Sequence, residues 1–289
     1  MGMHAFFERL DSQQIAARSL VCVGLDPDPN LMPVKNIFEF NRAIVDATAD
    51  QVCAYKPQLA FYEAEGSAGI VAMEKTVDYI RSQAPDVQVI ADCKRGDMGS
   101  TATAYAKAMF ETWGFDAATV NPYLGVDTIE PFLRHPGKGI FVVCRTSNPS
   151  SGQFQDLIVS NGRRETTLYG AVAKAANSWD EAGGVGIVVG ATAPEELRLL
   201  RQSHPNLTFL APGIGAQGGD VQTAIAAGIN PEGRGLVINS SRGIIYASRR
   251  PTDFAQAARE AAKSLNAAIN SAVEETLAGR RTSNNHEPG

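Results

Sequence analysis

The chain has 289 residues, 44% of them hydrophobic and 20% charged, with 26 Lys and Arg against 31 Asp and Glu for a formal net charge of -5. That length and apolar content fit one large globular domain, a size that closed α/β barrels reach undivided. The acidic balance, with basic residues scattered rather than clustered, excludes the footprint of a nucleic-acid binder but leaves room for a local basic pocket that takes a small anion.

The opening stretch, MGMHAFFERL, lacks the long apolar core of a signal peptide, and no later run approaches the ~18 apolar residues of a membrane span. A cytoplasmic protein with no membrane partner is expected. From residue 19 onward a short β-rich run followed by an amphipathic helical stretch recurs eight times. The strand-like runs are SLVCVGLD (19–26), VCAYKPQ (52–58), VQVIADCK (87–94), AATVNPY (117–123), GIFVVCRTS (139–147), GVGIVVGA (184–191), LTFLAPGIG (207–215) and GLVINSS (235–241). Helix candidates between or after them include 37–50, 101–113 and 253–273. Strands that are apolar on both faces and separated by helices imply a parallel sheet, and eight such units close a (β/α)8 TIM barrel. An open doubly wound sheet is the competitor, but no GxGxxG opens a helix after the first strand.

Three local features complete the walk. Thr192, Pro194 and Glu195 predict a capped helix start after the sixth strand. The polar segment 148–164 predicts an elaborated loop or lid on the catalytic face. The tail from about 279 to 289 has no apolar periodicity and is expected to be disordered. Without a linker or composition shift, residues 1–289 are expected to form a single domain. Cys22, Cys53, Cys93 and Cys144 each fall in an apolar run without metal-ligand spacing, which predicts buried reduced thiols. The four histidines avoid strand ends, against a histidine triad or a His-rich metal site.

In a barrel, catalytic groups come from the C-terminal ends of strands. Asp26 ends the first strand, Lys56 lies near the end of the second, Asp92 and Lys94 end the third, and Asp97 follows in the loop. Asp92 and Lys94 are two apart, so an extended strand points both to one side and Cys93 to the other. Such charges are costly unless mutually compensated or functional. They read either as an ion network plugging the barrel top or as a proton-transfer lysine held protonated by flanking aspartates. At strands seven and eight, APGIGAQGGD offers Gly213, Gly215, Gly218 and Gly219 for close backbone approach to an anion, and Arg242 can grip phosphate oxygens.

These residues together resemble the orotidine 5′-monophosphate decarboxylase family, in its longer, GAT-containing bacterial branch. Asp92-Cys93-Lys94-Arg95-Gly96-Asp97 fits the D-x-K-x-x-D signature, Lys56 in YKPQ completes the charged array, and VGLDPDP, VGAT, APGIGAQGGD and the strand-eight arginine match further family motifs in the expected order. The resemblance implies decarboxylation of orotidine 5′-monophosphate (OMP) to UMP, the last step of de novo UMP synthesis, with no cofactor and no metal. It implies Lys94 as proton donor to C6, Asp92 beside the departing carboxylate, and Lys56 holding Asp92 and the ribose hydroxyls. Asp97, followed by Thr101, would cross a homodimer interface into the partner's site. Asp26 would bind ribose, Ser147 the pyrimidine edge, and Gln217, Arg242 and the Gly215 backbone the phosphate. The Gln217 to Arg242 spacing is longer than in the compact branch. Rival readings are a magnesium-dependent sugar-phosphate decarboxylase or aldolase of the same superfamily, a Schiff-base aldolase using Lys94, and a barrel that binds a phosphate ligand without turnover.

Overall fold

The computed structural model describes residues 5–160, 162, 165–179, 183–214 and 220–284. Its strands are β1 (Val21–Leu25), β2 (Ala54–Pro57), β3 (Gln88–Arg95), β4 (Ala117–Val120), β5 (Gly139–Arg145), β6 (Val185–Val189), β7 (Phe209–Pro212) and β8 (Leu236–Ser240). All eight pair in parallel with their chain neighbours, and β8 returns to β1 to close the barrel. Each lies within one of the eight expected runs or overlaps it almost entirely.

Inside the barrel every strand contributes one residue to a buried cluster: Cys22, Ala54, Ile90, Ala117, Phe141, Val188, Leu210 and Val237. The alternate residues face outward into a larger cluster shared with the helices, for example Val23, Tyr55, Val89, Ala118 and Ile238. The strands are therefore apolar on both faces because both faces are covered.

The N-terminal end of the barrel is sealed by α1 (Ala5–Ala17), whose Phe6 and Leu10 are 0% and 2% exposed. Phe6 and Phe7 meet Phe141 edge-on at 6.1 and 5.6 Å between ring centres. Gly139 makes room for this plug, since a Cβ there would lie 2.2 Å from the Phe6 ring. Gln14 Nε2 ties α1 to the strands by donating to the Leu236 carbonyl at 2.7 Å.

The outer layer comprises α2 (Ile37–Thr48), α3 (Gly66–Gln83), α4 (Gly99–Lys107), α5 (Glu130–Leu133), α6 (Leu168–Trp179), α7 (Pro194–Ser203), α8 (Val221–Gly228) and α9 (Phe254–Asn284). Side-chain caps start three of them: Asn36 accepts from Glu39 N in α2, Thr167 accepts from Gly170 N in α6, and Asp220 accepts from Gln222 N and Thr223 N in α8. The expected Thr192 cap is corrected. Ala193 occupies the N-cap position without a side-chain bond, and Pro194 with Glu195 and Glu196 in the first turn set the start.

The 148–164 segment is more built than a bare loop. A short helix (Gly152–Gln155) is followed by an antiparallel hairpin pairing Ile158–Ser160 with Glu165–Thr167. The C-terminal expectation is corrected in its described part, because α9 stays helical to Asn284. Arg280 anchors it by donating to the carbonyls of Asn230, Ala226 and Ile229. Residues 285–289 lie outside the described set. Among the described residues no helix is long and apolar enough to cross a membrane.

Candidate active site

Two residues along from the interior apolar cluster, the same face of the strands turns polar: Lys56 on β2, Asp92 on β3, Thr119 on β4 and Asn239 on β8. Lys56 and Asp92 are only 4% and 7% exposed. Lys56 Nζ donates to Asp92 Oδ2 at 2.6 Å, and Lys94 Nζ donates to Asp92 Oδ1 at 2.5 Å. One buried carboxylate thus sits between two ammonium groups, one deep and one whose side chain is 47% exposed. A cavity of about 200 Å³ opens over Lys56 and Asp92, lined also by Asp26, Gln58, Ile214, Ser241 and Arg242, with Lys94 joined to it through Asp92. A larger cavity, about 870 Å³, lies away from these charges between the hairpin and α7, against Tyr169, Ala171, Leu199 and Leu200. Size is the weaker criterion here, because only the smaller cavity gathers coupled ionisable groups.

The end of β3 is irregular. Its pairing with β4 shifts register between Ala91 and Arg95, and Lys94 has φ +46. A left-handed conformation costs a non-glycine residue about 1 kcal/mol and persists only where the surroundings fix it. The surroundings here are Thr119, whose Oγ1 accepts from Cys93 N and Lys94 N and donates to Asp92 Oδ1.

Asp26 follows β1, and its Oδ1 is buried without a hydrogen-bond partner. Gly24 leaves space for Ser241, the hydroxyl partner of Asp26, since a Cβ on Gly24 would lie 1.8 Å from Ser241 Oγ. The Tyr246 hydroxyl donates to the Asp26 carbonyl at 2.8 Å and accepts from Asp28 N at 2.6 Å, fixing the β1 exit. On the far side Ser147 packs beside Gly190. The adjacent Arg145 guanidinium donates to Ser151, Gln155 and Glu196, which ties the 148–157 excursion to α7.

Asp97 stands apart. It accepts from Met98 N at 2.7 Å, and among the described residues no hydrogen bond or ion pair joins it to Lys56, Asp92 or Lys94. Thr101 lies exposed in the first turn of α4, and Arg242 lies exposed just past β8 at the cavity rim. Gly215 and Gln217, with Gly218 and Gly219, fall outside the described residues. The residues that sequence reasoning missed are Thr119, Asn239, Ser241, Gln58 and Tyr246. The period-two alternation from Ala117 to Thr119 and from Val237 to Asn239 would have found two of them.

Burial pushes the Asp92 carboxyl up, but the Lys56 and Lys94 ammonium groups more than reverse this and hold it well below the usual carboxylate range. Burial likewise pulls Lys56 down, and the Asp92 and Asp26 carboxylates override it and raise Lys56 above an ordinary lysine. Asp26 goes the other way: burial raises it, and Lys56 and Ser241 offset only part of that. All four cysteines are unpaired, and burial raises each thiol, which leaves them unreactive at neutral pH.

Residues 19–260 match the model of the orotidine 5′-phosphate decarboxylase / HUMPS family. A relative from Roseiflexus castenholzii, named orotidine 5′-phosphate decarboxylase, is 48% identical over 275 residues, covering 93% of this chain and 98% of its own. One of the same name from Cellvibrio japonicus is 46% identical, at 92% and 98% coverage. Among solved structures, Leishmania donovani OMP decarboxylase superposes with TM-score 0.78 at 37% identity, covering 92% of this chain and 98% of that one. Leishmania donovani UMP synthase gives TM-score 0.80 at 39% identity over 93% of this chain, which spans only 57% of that longer protein.

The buried array has a consequence for stability. With its folded value below its unfolded one, Asp92 contributes stability above about pH 4, and that contribution is lost as pH falls further. Replacing Lys56 by methionine removes the deeper counter-charge at similar volume. Lys56→Met is expected to cost about 3 kcal/mol at pH 7 in urea unfolding and to move the onset of acid unfolding to higher pH. Unchanged stability and acid onset would show that the buried pair contributes nothing.

Proposed function

The chain belongs to the orotidine 5′-phosphate decarboxylase / HUMPS family and converts OMP to UMP and carbon dioxide, a step of pyrimidine biosynthesis, and from that premise we propose how its own residues carry the reaction. The observation that carries the proposal is the Lys56–Asp92–Lys94 chain at the barrel top, two of whose members, Lys56 and Asp92, line the cavity there.

Loss of carbon dioxide from C6 leaves an electron pair in the plane of the pyrimidine, where the ring cannot delocalise it. The charge must then be met directly. Lys94 supplies a positive charge already fixed by Asp92, so no reorganisation is needed as the carbanion develops. It then gives an N–H proton to C6 and, from its partly exposed position, regains one from solvent. Asp92 lies beside the departing carboxylate and orients Lys94. Lys56 keeps Asp92 ionised and reaches the ribose hydroxyls. The unpartnered Asp26 Oδ1 is suited to accept from a ribose hydroxyl, and Ser147 to meet the pyrimidine edge. Arg242 takes the phosphate together with Gln217 and the Gly215 backbone. Binding energy gathered at the phosphate is then available at the reacting carbon. The scheme calls on neither a metal nor an organic cofactor.

Asp97 and Thr101 act across a homodimer interface in this proposal. Two observations support it: Asp97 has no partner in its own array, and the adjoining surface exposes Met98 (65%), Tyr123 (89%) and Leu124 (46%). We further propose a single-domain cytoplasmic protein, in keeping with four unpaired cysteines, of which Cys22, Cys53 and Cys144 are buried and Cys93 is half-buried.

Purified protein in excess EDTA is expected to convert OMP rapidly to UMP, followed by ultraviolet absorbance. Lys94→Ala is expected to lower kcat by more than about 10⁴-fold while UMP binding stays measurable. Wild-type turnover by Lys94→Ala would sink the mechanism, and a requirement for magnesium would move the reading toward a sugar-phosphate enzyme. Mixing inactive Lys94→Ala and Asp97→Ala proteins should restore activity, because a mixed dimer holds one intact composite site. No recovery despite demonstrated mixed dimers would refute the shared site.

A further inference from the structure

The distorted end of β3 is held by a side chain that the reaction above does not use. Thr119, on β4 and 1% exposed, places Oγ1 3.0 Å from Cys93 N and 2.9 Å from Lys94 N, and it donates to Asp92 Oδ1 at 3.1 Å. A hydroxyl has one proton and two lone pairs, and all three are engaged here. The two amides it receives belong to the stretch where β3 slips register against β4, between Ala91 and Arg95. In a regular strand those consecutive amides would point to opposite neighbouring strands, and the register shift turns both toward β4 without carbonyl partners there. The same hydroxyl therefore satisfies the amides that the left-handed Lys94 leaves over, and it fixes the carboxylate to which the Lys94 ammonium is bonded.

We propose that Thr119 is a positioning residue for the decarboxylation: it holds Lys94 in its left-handed conformation and Asp92 in register with it, so that the proton donor is set before substrate arrives. The inference rests on the reading of Lys94 as proton donor. Its alternative is a hydroxyl that merely satisfies buried amides and supports the fold. The two differ in what they change. Loss of positioning strikes the chemical step and spares ground-state binding, which depends on Arg242 and the ribose contacts. General distortion weakens both together.

Valine keeps the shape and β-branching of threonine but cannot hydrogen-bond, whereas serine keeps the hydroxyl. Thr119→Val is expected to lower kcat about 10²-fold with the KM for OMP and the Kd for UMP within about threefold of wild type. Thr119→Ser is expected to return kcat to within about threefold of wild type. A Thr119→Val kcat within threefold of wild type would overturn the proposal. So would a Thr119→Ser protein no better than Thr119→Val, or a loss of UMP affinity matching the loss of kcat. Should Thr119→Val fail to fold, Thr119→Ala replaces it: serine exceeding alanine by about tenfold in kcat supports positioning, and equality overturns it. Lys94→Ala, run alongside, separates the two readings. If it turns over like wild type, both fall; if it is inactive while Thr119→Val is near wild type, only the role of Thr119 falls.

Discussion

The structure depends on one electrostatic arrangement, the ionised Asp92 carboxylate buried between Lys56 and Lys94. Removing a carboxylate and an ammonium from water costs several kcal/mol per ion, which their attraction repays only when geometry and further hydrogen bonds are good. Here Asp92 receives a lysine on each oxygen and the Thr119 hydroxyl on Oδ1. The array is weak evidence for stability and strong evidence for a site, because nothing in a closed apolar barrel requires charges at that depth.

The rest of the fold can be understood as what makes that arrangement tolerable. The N-terminal half of the barrel interior is apolar and sealed by Phe6, Phe7 and Leu10 of α1, so burial is concentrated where no chemistry happens. The C-terminal half gives up regularity. Lys94 is left-handed, β3 and β5 both shift register near their ends, and Gly24 yields space to Ser241 beside Asp26. Arg145 anchors the 148–157 excursion at one edge of this face and Tyr246 pins the β1 exit at the other. Stability and function are thus divided along the barrel axis, as expected of this architecture.

Much of this was legible from the residues. The eight strands stood out because a strand covered on both faces is a short continuous apolar run, and Asp92 and Lys94 stood out because they end one. Thr119 was only half legible: its alternation with Ala117 puts it on the site face, but a threonine among Ala, Ala and Val reads as an ordinary β-former, and only the pairing of β3 with β4 brings its hydroxyl to the Lys94 amide. The sealing helix α1 was hidden because its apolar face is short and its partner, Phe141, lies far away in the chain. The tail was misjudged by composition: α9 is held beyond its apolar stretch by Arg280 bonding to carbonyls of the α8 end, a long-range contact that no local periodicity records. The alternation argument for Asp92 and Lys94 placed both at the site, but a bulge rather than an extended strand brings their side chains together.

The central claim is that the preformed Lys94 charge stabilises a carbanion at C6, and its most direct test removes carbon dioxide from the problem. By microscopic reversibility, a site that protonates that carbanion must also remove the C6 hydrogen of bound product. In heavy water the wild-type protein is expected to exchange the C6 hydrogen of 5-fluoro-UMP, whose fluorine acidifies the adjacent C–H inductively, with deuterium uptake read by NMR. Lys94→Ala is expected to show no exchange above background. Exchange by Lys94→Ala at the wild-type rate, or none by a wild-type protein that decarboxylates OMP, would contradict the account.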